Sequence, residues 1–256
     1  MSSSAAPPSL IGPRTVGLGT TLAVIALVEL LIRVGAINRY IVPLPSQIFA
    51  ALPRIVAEEN VLHRFAQTMQ ELLWASVLLA STGIALGALL YRFRLLRAAC
   101  ETWVAALAAA PIVLMYPLFL VIFGRSATTI IMIGFAAGLA PVILKTLEGL
   151  ARTRQVLIDV GRSFRLSSMQ EFRKILLPAA LPSIFVGLRL GLIFAMINIV
   201  GVEFLINFGG LGRLINELAE RYDLPATYAA ICFVILASIV FFDITGRIER
   251  WLRPNE

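Results

Sequence analysis

Asp159-Val160-Gly161-Arg162-Ser163-Phe164-Arg165-Leu166-Ser167-Ser168-Met169-Gln170-Glu171-Phe172-Arg173-Lys174-Ile175-Leu176-Leu177-Pro178 is a polar, arginine-rich island between long apolar segments. Ser168 and Glu171 fit the S-x-x-E capping box, with the serine at the N-cap and the glutamate three residues in. The helix that follows carries Met169, Phe172 and Leu176 at i, i+3 and i+7, which gives it one apolar face. Pro178 is expected to end it, because proline lacks the N–H and crowds the preceding turn. Upstream, Gln155 to Phe164 reads as a second short helix with Val156, Val160 and Phe164 on one face. Two short helices joined by a turn on a membrane surface are the pattern; a solvated loop is the alternative.

The apolar segments around the island set the class. The chain of 256 residues is 59% hydrophobic and 14% charged, with a mean hydropathy of +0.89. Soluble domains are nearer half apolar and a quarter charged, so the composition is that of an integral membrane protein. The net charge of +7 does not indicate nucleic acid, since the basic residues lie at the ends of apolar segments and not among aromatic platforms. Cys100 and Cys232 lack the spacing of a metal site or a disulfide framework. His63 is the sole histidine; this excludes a multi-histidine metal site, nothing argues for a histidine-based triad, and His63 reads as an interfacial side chain.

Six spans are predicted: Val16 to Val34, Leu72 to Tyr91, Trp103 to Phe123, Ala127 to Leu144, about Pro182 to Phe208, and Leu224 to Phe242. A flexible tail (1–15) and a C-terminal tail (251–256) flank a membrane domain (16–250), with the polar loop at about 145–181. Glu29 and Arg33 stand four apart in the first span and are expected to neutralise one another. Ser46 to Leu52 is expected to form a short interfacial helix. Pro111 and Pro117 are expected to bend the third span, as a packing helix or as a lining of a pathway. Gly83/Gly87, Gly134/Gly138 and Gly187/Gly191 are G-x-x-x-G pairs suited to close helix contact. Residues 207 to 223 read as a loop, and Asp223 caps the last span. Seven of the 22 basic residues (Arg33, Arg39, Arg54, Arg64, Arg125, Arg213, Arg221) fall on one side of this topology and 15 on the side of the termini and the island. The positive-inside rule therefore puts both termini and the island in the cytoplasm. The expected fold class is all-α, a polytopic membrane protein with six transmembrane helices and a cytoplasmic coupling-helix loop.

No energy-converting site is visible. A P-loop needs glycine directly before Lys-Ser/Thr, and Lys145-Thr146 follows Leu144. Glu203, near the far end of the fifth span, lacks a partner nearby in sequence. Such residues face a bundle interior or an aqueous cavity, although a hydrated position at the outer interface fits as well. Glu203 and Asn198 are assigned to a translocation pathway.

The island resembles the signature of membrane permease subunits of binding-protein-dependent ABC importers, E-A-A-x3-G-x9-I-x-L-P. Asp159-Val160-Gly161 stands for Glu-Ala-Ala, Arg165 for the glycine, and Ile175-Leu176-Leu177-Pro178 for Ile-x-Leu-Pro. The continuation through Gly187-Leu188-Arg189 is similar to the nitrate/sulfonate/taurine branch. A glycine at 165 would permit a left-handed residue, which costs a residue with a Cβ roughly 1 kcal/mol. The turn is then either built differently, or the arginine has a partner that offsets the strain.

The resemblance implies a subunit without catalysis or cofactor of its own, ATP and Mg being bound by a partner ATPase. It implies a homodimer in the bacterial inner membrane, an extracellular or periplasmic substrate-binding protein, contact with membrane lipid, and a small anion such as nitrate, sulfonate or taurine as cargo. Asp159, Gly161, Arg165, Ser168, Met169, Glu171 and Phe172 are the implied ATPase-coupling residues, with Met169 and Phe172 inserted in the partner or packed back on the permease. A secondary transporter without an ATPase is the competing class.

Overall fold

The computed structural model describes residues 13–251, with side chains for residues 15–247. The two predicted tails fall largely outside these residues, although the first helix already starts at Pro13 and the last reaches Trp251. The described residues form ten α-helices and no strand, with a short 3-10 helix (Ile112–Met115) leading into the fifth: α1 (Pro13–Arg33), α2 (Pro45–Glu58), α3 (Val61–Arg92), α4 (Arg94–Ala109), α5 (Tyr116–Phe123), α6 (Ala127–Ala151), α7 (Gln155–Ser163), α8 (Ser168–Ile206), α9 (Gly210–Glu220) and α10 (Leu224–Trp251).

Five of them (α1, α3, α6, α8 and α10) are long and apolar enough to cross a membrane. The third expected span, Trp103 to Phe123, is not one kinked helix. It is broken into Arg94–Ala109 and Ile112–Phe123, bent by 91°. Ala110 takes an extended ψ of 133°, as a residue before proline prefers, and Pro111 thus separates two helices. Pro117 is harmless by contrast, because it sits in the first turn of α5.

The centre is the pair α6–α8, and the glycine pairs make it possible. A Cβ on Gly138 would lie 2.5 Å from the Gly191 carbonyl oxygen, and one on Gly134 would meet the Ile199 side chain at 2.7 Å. Gly83 and Gly87 let α3 approach Val142 and Thr146 of α6 in the same way. Leu72, Leu79, Ile130, Ile133, Met196 and Ile199 fill the core between these three helices. The apolar face of α1, with Leu18, Leu22, Leu27 and Leu30, is exposed, as a lipid-facing helix requires. Glu29 makes the expected bond to Arg33 (2.6 Å) and also accepts from the Ser46 N–H (3.0 Å) and hydroxyl (2.9 Å). It thereby holds the first turn of α2, which is longer than the predicted Ser46–Leu52 and carries Pro53 inside it.

The two ends of the bundle differ. At one end α2, the start of α3, α9 and the start of α10 pack around Ile55, Val61, Leu211, Leu214 and Leu218. Ion pairs stitch this cap: Arg54–Asp223 (2.5 Å), Arg64–Glu217 (2.7 Å) and Arg221–Glu59 (2.6 Å). Asp223 caps α10 as expected, accepting from the Ala226 N–H (3.2 Å). The helix α9 replaces the predicted loop; Leu211, Leu214 and Leu218 recur at helical spacing and bury one face. At the opposite end, α7 and the beginning of α8 pack on the end of α6 around Leu150, Ile158, Leu176 and Ile184.

Candidate functional site

The island forms two arms. Its first arm, α7, ends in a Schellman turn, in which the Arg165 N–H donates to the Arg162 carbonyl (2.9 Å) and the Leu166 N–H to the Gly161 carbonyl (3.1 Å). Arg165 has φ +54°. The left-handed residue that a glycine would supply is therefore present with an arginine in it, and the turn is not rebuilt. The two hydrogen bonds of the turn work against the strain. Gly161 is held by a different constraint: a Cβ there would meet Ile175 Cδ1 at 2.5 Å, where the second arm folds over the first.

The second arm corrects three expectations. The capping serine is Ser167, not Ser168: Ser167 Oγ accepts from the Gln170 N–H (3.4 Å), and Gln170 Oε1 accepts from the Ser167 N–H (2.9 Å). The sequence Ser-Ser-Met-Gln-Glu fits the box in two registers. Ser167 is the last residue with extended backbone (ψ 158°), so it takes the cap, and Ser168 and Glu171 lie inside the first turns.

Pro178 does not end the helix either. A π-helical turn at Phe172–Leu176 widens the backbone ahead of the proline, and the helix runs unbroken to Ile206. Thirdly, the apolar stripe is split. Leu176 is buried and Phe172 packs against the same core, whereas Met169 is 59% exposed.

The exposed apolar surface is carried mainly by α7. Val156 (70% exposed), Val160 (47%) and Phe164 (76%) are exposed on it. Asp159 is also exposed and bonds within its own helix, to Gln155 Nε2 (3.1 Å) and Arg162 Nη1 (3.7 Å). Ile158 and Gly161 are buried and anchor α7 to the end of α6 and the beginning of α8.

At the other end of α8, Glu203 is fully buried, which removes the hydrated interfacial position. Its Oε1 accepts from the Thr68 hydroxyl (2.7 Å) and its Oε2 from the Gly212 N–H (2.7 Å), while Thr68 Oγ1 accepts from the Leu211 N–H (3.0 Å). The N-terminus of α9 has no capping side chain of its own; Glu203 and Thr68 take that part, where a carboxylate also meets the positive end of the helix dipole. Glycines are required for this approach, since a Cβ on Gly210 would overlap the Glu203 carboxyl and one on Gly212 the Val200 carbonyl.

Glu71, which carried no weight in the sequence, is 6% exposed and lies within hydrogen-bonding reach of Glu203. Its Oε2 meets no donor. The signal that could have found it is its place among Gln67, Gln70 and Trp74, one polar face of α3. That face lines a half-open pocket of about 570 Å³, closed on the other side by Phe208, Gly209 and Arg213. Asn198 is not brought to Glu203 or to this pocket; its amide donates to the Phe194 carbonyl of its own helix (2.8 Å).

Among proteins similar to this chain, a riboflavin transport system permease protein of Chloroflexus aurantiacus is 29% identical over 159 residues, 62% of this chain and 59% of its own length. A probable ABC transporter permease protein of Brucella melitensis is 25% identical over 85% of this chain and 89% of its own. A nitrate import permease protein of Leptolyngbya laminosa is 27% identical over 78% of this chain and 71% of its own. The fold is similar to that of a chain of the MetNI methionine ABC transporter in an inward-facing conformation. That match has a TM-score of 0.62 at 20% identity and covers 80% of this chain and 97% of the other. Residues 80–254 match the family described as the binding-protein-dependent transport system inner membrane component, and the chain belongs to that family.

Proposed function

We propose that this chain is the membrane-spanning permease subunit of an ATP-driven importer and that α7 delivers the ATPase's motion to the bundle. The observation that carries this is the exposed apolar surface of Val156, Val160 and Phe164, held on a helix whose opposite face is pinned to α6 and α8. Nucleotide-driven movement of a partner gripping that surface would pass through Ile158 and Gly161 into the start of α8. Met169 belongs to the contact; Phe172 supports it from within the permease. ATP and Mg reside in the partner, and this chain contributes no catalytic group. Two copies of the permease form the pathway, a substrate-binding protein feeds it from outside, and α7 lies in the cytoplasm with both termini, in a bacterial inner membrane.

The cargo is proposed to be a small solute of the nitrate, sulfonate or taurine kind, supported by the nitrate permease among the similar proteins. The opposing class, a secondary transporter, has no use for an apolar helix face exposed at the end of the bundle. The test is the energy source. Membrane vesicles holding the chain with its ATPase and binding protein should accumulate solute on addition of ATP with the ion gradients dissipated. Uptake that follows an imposed ion gradient and ignores ATP would refute the proposal.

A further inference from the structure

Glu71 and Glu203 are two buried carboxyl groups within hydrogen-bonding reach of one another, and the coupling role of α7 does not use them. A carboxylate only accepts hydrogen bonds, so two carboxyl groups in contact need one proton between them. Glu203 already accepts from the Thr68 hydroxyl and the Gly212 N–H, as the ionised member of a pair does. Glu71 Oε2 meets no donor, so Glu71 is the member that carries the proton and donates it. No cation stands in for that proton. On α3, Arg64 bonds Glu217 (2.7 Å) and the Glu59 carbonyl (3.1 Å); on α9, Arg213 bonds Glu217 (2.6 Å). Arg125, between α5 and α6, donates to the Ile206 and Asn207 carbonyls. Positions 190–206 of α8 hold no charged residue besides Glu203, and positions 127–144 of α6 hold none. Arg54 pairs with Asp223, and Arg221 with Glu59. His63 is the remaining titratable group lining the adjacent pocket, about two turns before Glu71 on α3.

The pair sits where α9 is held. The first three N–H groups of α9 donate to side chains of other helices: Gly210 to Gln67 Oε1 (3.2 Å), Leu211 to Thr68 Oγ1 (3.0 Å) and Gly212 to Glu203 Oε2 (2.7 Å). The helix start has no capping side chain of its own, so these bonds are its whole cap. Phe208, Gly209 and Arg213, on either side of that start, form one wall of the pocket. We propose that the proton shared by Glu71 and Glu203 is a latch: with it, α3 and α8 clamp the start of α9 and close that wall, and without it the two charges repel and α9 is released. Closing then takes up one proton. An equilibrium that takes up one proton weakens about tenfold per unit rise in pH, wherever the open form has both carboxyl groups ionised and the closed form one. The latch is therefore strongest at low pH and fails as pH rises. That the wall gates entry of a solute rests on the proposed function; the latch itself does not.

The test uses the full chain in lipid nanodiscs. Hydrogen exchange at Leu211 and Gly212 is measured from neutral pH upward and referred to the rate of an unstructured chain at the same pH. Protection in the parent is expected to fall by up to about tenfold per pH unit. Glu71→Gln supplies an amide N–H to Glu203 in place of the proton and keeps the charge of the closed pair, so its protection is expected to stay level. His63→Gln is expected to fall as the parent does. Level protection in the parent, an equal fall in Glu71→Gln, or a slope abolished by His63→Gln would overturn the latch. If Glu71→Gln does not fold, infrared spectroscopy of the parent decides. The C=O stretching band of a protonated carboxyl should be present at neutral pH and fade over the range in which protection falls. Its absence at neutral pH, or its loss without loss of protection, overturns the proposal. Neither ATPase nor solute is present, so failure here leaves the coupling role of α7 untouched, and failure of coupling leaves the latch standing.

Discussion

Phe164→Ala and Phe172→Ala test the proposal that the first side chain grips a partner while the second holds the permease together. Full burial of a phenylalanine stabilises by roughly 1.5–3 kcal/mol, and Phe164 still has 76% of its surface to bury. Docking can therefore gain about 1–2 kcal/mol from this side chain, and its loss should weaken association with the ATPase by roughly five- to thirtyfold. The turn should survive, because its hydrogen bonds come from backbone groups of Gly161, Arg162, Arg165 and Leu166.

Phe172 is already packed against the core of Leu150, Ile158 and Ile184. Its truncation removes part of the ~3–5 kcal/mol that a fully buried phenylalanine is worth. It should lower the unfolding temperature of the isolated permease before it changes affinity. Thermal unfolding of the permease in detergent and titration with purified ATPase give the two readouts. The reasoning is refuted if Phe164→Ala binds as the parent does while Phe172→Ala loses binding at unchanged stability.

Gly138→Ala places a methyl group 2.5 Å from the Gly191 carbonyl and should cost about 1–3 kcal/mol of stability. Gly17→Ala, with nothing within 4 Å, should cost none, and thermal unfolding compares them. Glu203→Gln puts an amide where two donors converge and leaves one unsatisfied, a cost of about 1–3 kcal/mol; hydrogen exchange at Leu211 and Gly212 should speed up by about tenfold or more. Burial works against the charge of Glu217, but the Arg213 and Arg64 guanidinium groups outweigh it and hold its carboxyl below the ordinary value of 4.5. A depressed carboxyl stabilises the cap fully above about pH 4.5 and loses that contribution as pH falls through its lower folded value. The stability gap between the parent and Glu217→Gln should thus be present at neutral pH and close on acidification below that range.

Most of the architecture was legible because apolar length and glycine spacing act locally. The three G-x-x-x-G pairs mark the contacts of α3, α6 and α8, and Asp223 marks the start of α10. What was missed depended on how the backbone absorbs a conflict. Pro178 looks like a stop, yet one π-helical turn relieves its clash and keeps α8 continuous. Pro111 looks like a kink, yet it lies after a residue already extended and splits the span. Ser167 and Ser168 compete for one cap, and only the end point of the α7 turn decides between them.

The helix α9 was hidden by glycines at its start, which read as loop until Glu203 is seen to need their bare backbone. The link of Glu71 to Glu203 joins residues from different spans and has no local trace. Spacing leaves two placements open for Phe172, in a partner or back on the bundle; the fold takes the second and leaves Val156, Val160 and Phe164 exposed instead.

The central claim is that α7 is where an ATPase docks. A photo-crosslinking residue placed at position 164, and separately at position 172, in the permease reconstituted with its ATPase and binding protein tests it most directly. The account predicts strong crosslinking of the ATPase from position 164, responsive to ATP, and crosslinks from position 172 only within the permease. An assembled complex that crosslinks to the ATPase from 172 and not from 164 would contradict it.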